Sequence, residues 1–337
     1  MLYIFICFSI NNVMEIKNNF TLNNYFENVY VINMESDKDR LNSVTNEMNK
    51  INTKFKRMPG IITDRALRKQ EGSIFGKYFA PSTAFGISEA HRKIWKTIIE
   101  KDYKNALIFE DDVKFVDNIA SILPKAIKEL PDDWDIVYLG CLSCCDKVSL
   151  FELHEIMNPT KKKYSDNLNS GGLYYGTEAY AISYNGAKKI LEQIPKINYH
   201  LDYEITYHTK DLKIFHINPP VAYQHSDGVI KSHNTNVPVI LNDLLKNIKI
   251  NEKCYNDVRT LDWTLSLPIF RLFSDLLTFN IWCAIFFILA FILPWTAEFL
   301  IVYIFIDIIY TKTKNLKKYI PIFVATIFGF LIRKITF

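Results

Sequence analysis

The segment NALIFEDD, residues 105–112, indicates the fold of this chain most directly. Its first part, NALIF, is an apolar run that predicts a buried strand. The run then breaks abruptly into Glu110, Asp111 and Asp112, three carboxylates that would repel one another inside a core. At the carboxyl edge of a parallel sheet they would instead lie where open α/β folds bind their ligands.

Other predicted elements surround this strand on both sides. They are a strand at VYVIN (29–33), a capping box at Ser36–Asp39 with its helix, a helix from Ser88 to Asp102, a helix over 118–130 and a strand at DIVYLG (135–140). The alternation of strands and helices predicts an α/β fold with a mostly parallel sheet. Glycines and scattered aromatic residues in 61–87 favour a connecting loop.

The second half of the predicted domain continues the pattern. Its elements are a strand in YYGTEAYAIS, a helix over Asn185–Ile194, a helix from 201 to 208 and a strand at LKIFHIN. We predict three parts: a leader at 1–27, an α/β domain at 28–250, and a hydrophobic helical region at 251–337.

Composition excludes some classes of function. The net charge is only +4, with 40 basic and 36 acidic residues interspersed, so nucleic acid is not an expected partner. The six cysteines are irregularly spaced and are expected to be reduced thiols. Cys141, Cys144 and Cys145 resemble half of a zinc site, but no second Cys or His pair lies at a matching interval.

A divalent cation would relieve the repulsion in the acidic cluster. Hard oxygen ligands suit such an ion, and Glu110 and Asp112, two residues apart, can both point at it. The alternative is an acidic turn that only caps the next helix. The residues alone leave both interpretations open.

A series of motifs carries a family resemblance. The motifs are VYVINMESDKDR, His91 with Trp95, LIFEDDVKF, WDIVYLG, GTEAYAISYNGAKKIL, LDYEI and NPPVAYQHSD. In this order, over residues 28–235, they resemble glycosyltransferase family 25, which includes lipooligosaccharide and procollagen galactosyltransferases. The resemblance implies a GT-A (Rossmann-like) fold and a UDP-hexose donor, with galactose expected. It further implies Mn²⁺ or Mg²⁺, inversion at the anomeric carbon, and a glycan, glycolipid or glycoprotein acceptor, as in lipopolysaccharide biosynthesis.

The resemblance also assigns roles to residues of the first half. It places Glu110, Asp111 and Asp112 at the donor and metal site, and Arg40 beside the nucleotide. A guanidinium suits phosphate, and the alternative for Arg40 is a helix-surface residue. His91 matches the family's Ser-His position, but Ala90 stands where Ser is expected. His91 is therefore either a ligand contact or a helix-packing histidine.

Further candidates follow in the second half. An inverting transfer needs a base for the acceptor hydroxyl, and the resemblance points to Asp202, with Glu204 as substitute. An N-cap carboxylate is the alternative for Asp202. Thr177 and Glu178 are expected to line the acceptor cleft and to supply hydrogen-bond partners for sugar hydroxyls. The set is completed by two residues of the loop after the last strand, His225 as a metal or diphosphate ligand and Asp227 at the family's Ser-Asp pair.

The tail is strongly apolar. Leu276–Leu293 is an uncharged run of eighteen residues, followed by apolar runs at Phe299–Tyr310 and Ile320–Ile332. Hydropathy predicts a transmembrane hairpin in the lipid bilayer, and the lysines of 311–318 put the catalytic domain on the cytoplasmic face. The alternative is an interfacial region or the core of a helical domain.

Two classes of function are consistent with these patterns. The first is a membrane-anchored, metal-dependent, inverting glycosyltransferase. The second is a catalytically degenerate, membrane-bound sugar-binding or scaffold protein on the same fold, because fold alone does not establish activity. The intact acidic trio favours the enzyme.

Overall fold

A computed structural model describes residues 20–140, 162–171, 176–224, 249–252, 258–260, 268–272, 277–311 and 316–336. The chain divides into two units, each with its own internal packing. The first unit comprises Met1–Ile62 with Gly86–His225, and the second comprises Thr63–Phe85 with Ser226–Phe337.

The first unit is built on a central sheet. Its strands are β1 (Asn28–Asn33), β2 (Lys56–Pro59), β3 (Asn105–Glu110), β5 (Ile136–Gly140), β6 (Lys162–Lys163), β7 (Leu168–Ser170), β8 (Ala179–Ser183) and β9 (Ile214–Ile217). Among the described residues they lie in the order β2-β1-β3-β8-β5-β9-β7-β6. A separate antiparallel pair joins β4 (Val113–Phe115) to β10 (Ala222–Gln224).

The sheet is mixed, so the prediction of a mostly parallel sheet was wrong. Strand β1 runs parallel to β2 and β3, and β5 runs parallel to β9, as expected. Strand β8, however, lies between β3 and β5 and is antiparallel to both. An apolar run indicates that a strand is buried but does not indicate the direction in which it runs. Parallel and antiparallel strands that are covered on both faces have the same composition.

Helices cover the sheet of the first unit. They are α1 (Lys38–Lys50), α4 (Ser82–Glu100, of which the part from Gly86 belongs to this unit), α5 (Ile119–Glu129), α6 (Tyr184–Gln193) and α7 (Leu201–His208). Helix α4 contributes Ile94, Trp95 and Ile98 to a core that includes Tyr138 and Tyr180 of the sheet. Each such fully buried apolar side chain contributes about 1.5–3 kcal/mol relative to exposure.

Residues 61–87 contain helices, contrary to the predicted loop. Helix α2 spans Arg65–Glu71 and helix α3 spans Ile74–Phe79. The side chain of Asp64 accepts a hydrogen bond from Leu67 N at 2.7 Å, and that of Ser73 accepts one from Gly76 N at 2.9 Å. These two N-caps stabilise short helices in a segment that is rich in glycine. Helix α4 begins at Ser82 instead of the predicted Ser88.

The apolar tail belongs to the second unit. Its described elements are the hairpins β11 (Lys249–Glu252) with β12 (Val258–Thr260) and β13 (Pro268–Leu272) with β14 (Leu277–Asn280), and the helices α8 (Ile281–Ile292), α9 (Thr296–Thr311) and α10 (Ile320–Thr336). Within α9, Asp307 is buried and accepts a hydrogen bond from the Tyr319 hydroxyl.

The predicted transmembrane hairpin is not supported. In the part of the chain that the structure describes, no helix combines the length and apolarity needed to cross a bilayer. The run Leu276–Leu293 is divided, because Asn280 caps a new helix by accepting a hydrogen bond from Cys283 N. Helix α8 has twelve residues, about 18 Å, whereas the hydrocarbon core is about 30 Å thick.

Candidate functional site

The acidic turn lies at the carboxyl end of β3, as predicted. Glu110 ends this strand, and Asp111 and Asp112 form the turn into β4. Because β1 runs parallel beside β3, its last residue, Asn33, reaches the same edge of the sheet. Asn33 Nδ2 donates a hydrogen bond of 2.7 Å to Asp111 Oδ2.

Arg40 bridges the two aspartates. It lies in the first turn of α1, the helix that follows β1. Its Nε is 2.9 Å from Asp111 Oδ1, and its Nη2 is 2.6 Å from Asp112 Oδ2. The Arg40 side chain is 46% exposed, whereas those of Asp111 and Asp112 are 8% and 16% exposed. One half-exposed cation thus balances part of the charge of two nearly buried carboxylates.

Asp112 is only partly satisfied. Its Oδ2 accepts hydrogen bonds from Arg40 and from Gln224 Nε2, the latter at 2.9 Å. Its Oδ1 is buried and has no hydrogen-bond partner among the described residues. A buried carboxylate oxygen without a donor is costly, and hard cations bind oxygens of this kind.

Glu110 points to a different set of partners. Its Oε1 accepts a hydrogen bond of 2.7 Å from Thr177 Oγ1 and is 3.9 Å from His91 Nε2. Burial and then the charge of Asp112 raise the pKa of Glu110 well above its usual value. Burial also raises the pKa of Asp111, although Arg40 and the hydrogen bond from Asn33 oppose that shift.

His91 is fully buried beside the acidic turn. Burial lowers its pKa to about 3, so the imidazole is neutral. Tyr180 Oη is 2.8 Å from His91 Nδ1 and accepts a hydrogen bond of 3.0 Å from Trp95 Nε1. If the tyrosine proton is donated to Nδ1, the remaining ring proton lies on Nε2, which faces Glu110 at 3.9 Å and has no hydrogen-bond partner among the described residues. His91 is therefore both a packed histidine and a polar neighbour of Glu110.

Tyr180→Phe is expected to lower the free energy of unfolding by about 1–3 kcal/mol, because Trp95 Nε1 and His91 Nδ1 would lose their shared partner inside the core. Chemical denaturation with urea measures the change. Tyr30→Phe is the control, since the Tyr30 side chain lies in the same core but its hydroxyl makes no hydrogen bond with a described residue. An equal decrease in the free energy of unfolding in both variants would contradict a specific role for the Tyr180 hydroxyl.

Asp202 joins the same region through the segment that precedes β8. It lies in the first turn of α7, whose N-cap is His200, so Asp202 is not the N-cap. Its Oδ2 accepts a hydrogen bond of 3.0 Å from Gly176 N, and its Oδ1 accepts one of 2.8 Å from Tyr203 N. The next residue after Gly176 is Thr177, which contacts Glu110. Asp202 and Glu110 are thus linked through two consecutive residues.

The other carboxylates near this segment are less accessible. Glu204 is 2% exposed, and its Oε2 accepts a hydrogen bond of 2.9 Å from Asn198 Nδ2. Glu178 is 3% exposed, and its carbonyl oxygen accepts a hydrogen bond from Glu110 N at 3.1 Å. Asp202 is partly exposed, so it is the better placed of the three to meet a substrate.

Two predicted site residues lie outside the described residues. They are His225 and Asp227, and the Cys141, Cys144 and Cys145 cluster lies outside them as well. Within the described ranges, no group of three or more His, Cys, Asp or Glu side chains is arranged to hold a metal ion. A shared ion at Glu110, Asp112 and His225 stays a prediction.

Three site residues were not predicted. They are Asn33, Arg57 and Gln224. Arg57 Nε donates a hydrogen bond of 3.0 Å to Asn33 Oδ1 and so supports the residue that holds Asp111. Asn33 and Gln224 are polar residues that follow apolar residues at the carboxyl ends of their strands. The same pattern predicted Glu110, so it could also have identified Asn33 and Gln224.

Comparison with known proteins extends these observations. Procollagen galactosyltransferase 2 of Mus musculus is 23% identical over 247 residues, which cover 65% of this chain and 37% of that protein. The human protein named Inactive glycosyltransferase 25 family member 3 is 29% identical over 112 residues, or 32% of this chain and 17% of that protein. This chain therefore spans well under half of the length of these relatives.

A solved structure and a family model also match this chain. Mouse xyloside xylosyltransferase 1, in its apo form, matches 53% of this chain and 67% of that chain, with a TM-score of 0.26 and 14% identity. The family model of glycosyltransferase family 25 (LPS biosynthesis protein) matches residues 26–205. Since this match covers more than half of the residues, the chain belongs to glycosyltransferase family 25, as its motifs predicted.

Proposed function

We propose that this chain is a glycosyltransferase that moves a hexose, galactose in the first instance, from a UDP-sugar to a glycan, glycolipid or glycoprotein acceptor. The proposal includes a GT-A fold, a catalytic domain at 28–250, and inversion at the anomeric carbon. One observation carries it: the acidic turn and Asp202, the candidate base, lie in one unit and are linked through Gly176 and Thr177.

The residues of the turn fit a divalent cation. Asp112 has a buried oxygen without a described partner, and its ligand atoms and those of Glu110 are the hard oxygens that Mn²⁺ or Mg²⁺ prefers. We propose that Asp112 and Glu110 hold the ion, with His225 as a further ligand. When bound, the ion would neutralise charge on the diphosphate leaving group.

The remaining roles belong to the side chains themselves. Asp202 takes the proton from the acceptor hydroxyl, and the N–H groups of Gly176 and Tyr203 orient its carboxylate. Thr177 holds Glu110 in position through its hydroxyl, and Glu178 and Asp227 border the donor. Arg40 supplies a planar cation that suits phosphate.

The decisive experiment measures the release of UDP from a panel of UDP-sugars, with and without Mn²⁺. We expect the fastest release from UDP-galactose and a strong dependence on the ion. The second candidate function, a degenerate sugar-binding protein, has support in the relative that carries the word inactive in its name. Binding of UDP-sugars without any UDP release would favour that candidate and contradict the proposed enzyme.

A further inference from the structure

Arg40 occupies the place at which a cation would bind the acidic turn. Its guanidinium contacts both Asp111 and Asp112, and on Asp112 it contacts Oδ2, an oxygen that a metal ion would also approach. Gln224 donates to the same oxygen, but it is neutral. A divalent cation at Asp112 would therefore have to share the carboxylate with the permanent positive charge of Arg40.

The side chain of Arg40 is able to leave this position. It is 46% exposed, and its described polar contacts are those to the two aspartates. A guanidinium pairs with phosphate as well as with carboxylate, because both offer two oxygens to its planar donors. A diphosphate at the edge of the sheet would thus offer Arg40 an alternative partner.

We propose that Arg40 decides the order in which ligands enter the acidic turn: it disfavours a divalent cation at Asp112 until a nucleotide diphosphate draws the guanidinium away. The inference rests on the proposed function and deepens it. Arg40 then makes cation binding and nucleotide binding mutually favourable. Thermodynamic linkage requires that each ligand raises the affinity for the other by the same factor.

The test measures binding and does not depend on turnover. Mn²⁺ is titrated into the full chain and the free ion is followed by electron paramagnetic resonance, with and without UDP. Arg40→Gln is compared with wild type, and Lys38→Gln is the matched control. Lys38 is a residue of the same helix, so this control removes one positive charge outside the aspartate contacts.

In wild type and in Lys38→Gln, UDP should tighten Mn²⁺ binding by about tenfold. In Arg40→Gln, Mn²⁺ alone should bind about tenfold more tightly than to wild type, and UDP should tighten Mn²⁺ binding by a smaller factor than in wild type, because only the direct attraction between the ion and the diphosphate then remains. Equal Mn²⁺ binding by wild type and Arg40→Gln, with UDP coupling intact, would overturn the inference and leave the metal site standing. No Mn²⁺ binding by either protein, even with UDP, would overturn the proposed metal site and the inference with it.

Discussion

Asp112→Asn is expected to lower the rate of glycosyl transfer by at least about 100-fold, the scale of effect seen when an electrostatic group is removed from an active site. The substitution is nearly isosteric, but it removes the negative charge that faces Arg40. It also removes the carboxylate whose buried Oδ1 has no described hydrogen-bond partner. The rate of UDP release from UDP-galactose, with acceptor and Mn²⁺ present, measures the effect.

A matched control separates the charge at the site from charge in general. Asp117→Asn removes a carboxylate from an exposed residue five positions further along the chain and should leave the rate unchanged. Both variants should unfold cooperatively at a temperature close to that of wild type, because the substituted side chains keep their size. If Asp112→Asn retained activity within a few-fold of wild type, Asp112 would not belong to the site.

Asp202→Asn is expected to reduce turnover by about 10²- to 10⁴-fold, the usual contribution of a general base. The amide oxygen can still accept the hydrogen bond from Gly176 N, so the segment before β8 should keep its position. Since a base acts on the acceptor, the affinities for UDP and Mn²⁺ should be preserved, and calorimetric titration can verify this.

Glu204→Gln tests the alternative base. Glu204 is buried against Asn198, so its substitution should change stability more than turnover. A greater loss of turnover in Glu204→Gln than in Asp202→Asn would transfer the role to Glu204. A loss of UDP binding in Asp202→Asn would instead mean that Asp202 lies at the donor side of the site.

Much of the first unit could be predicted from local sequence. The strands at 28–33, 105–110 and 136–140 and the helix at 119–129 follow from apolar runs and helical spacing, because those patterns report burial over a few residues. The position of the acidic turn also followed locally. Carboxylates directly after a buried strand must lie at its end, where they can leave the core.

Other parts of the fold were decided by longer-range contacts. The direction of β8 depends on the path of the chain between β5 and β8, which no local pattern encodes. The tail was misjudged because its apolar run does not form one continuous helix: Asn280 begins a new helix by capping it at Ile281. The mean hydropathy of the whole run does not reveal such a boundary.

The chemistry of the candidate site divides in the same way. The sequence by itself determined the family, through motifs in a definite order, and the residue types of the candidate site. Only the tertiary structure decided how those side chains pair: Arg40 with Asp111 and Asp112, Glu110 with Thr177, and Asp202 with Gly176. The physical reason is that charged and polar groups at a sheet edge take the nearest complementary partner, and nearness between residues 26 to 72 positions apart is a property of the fold.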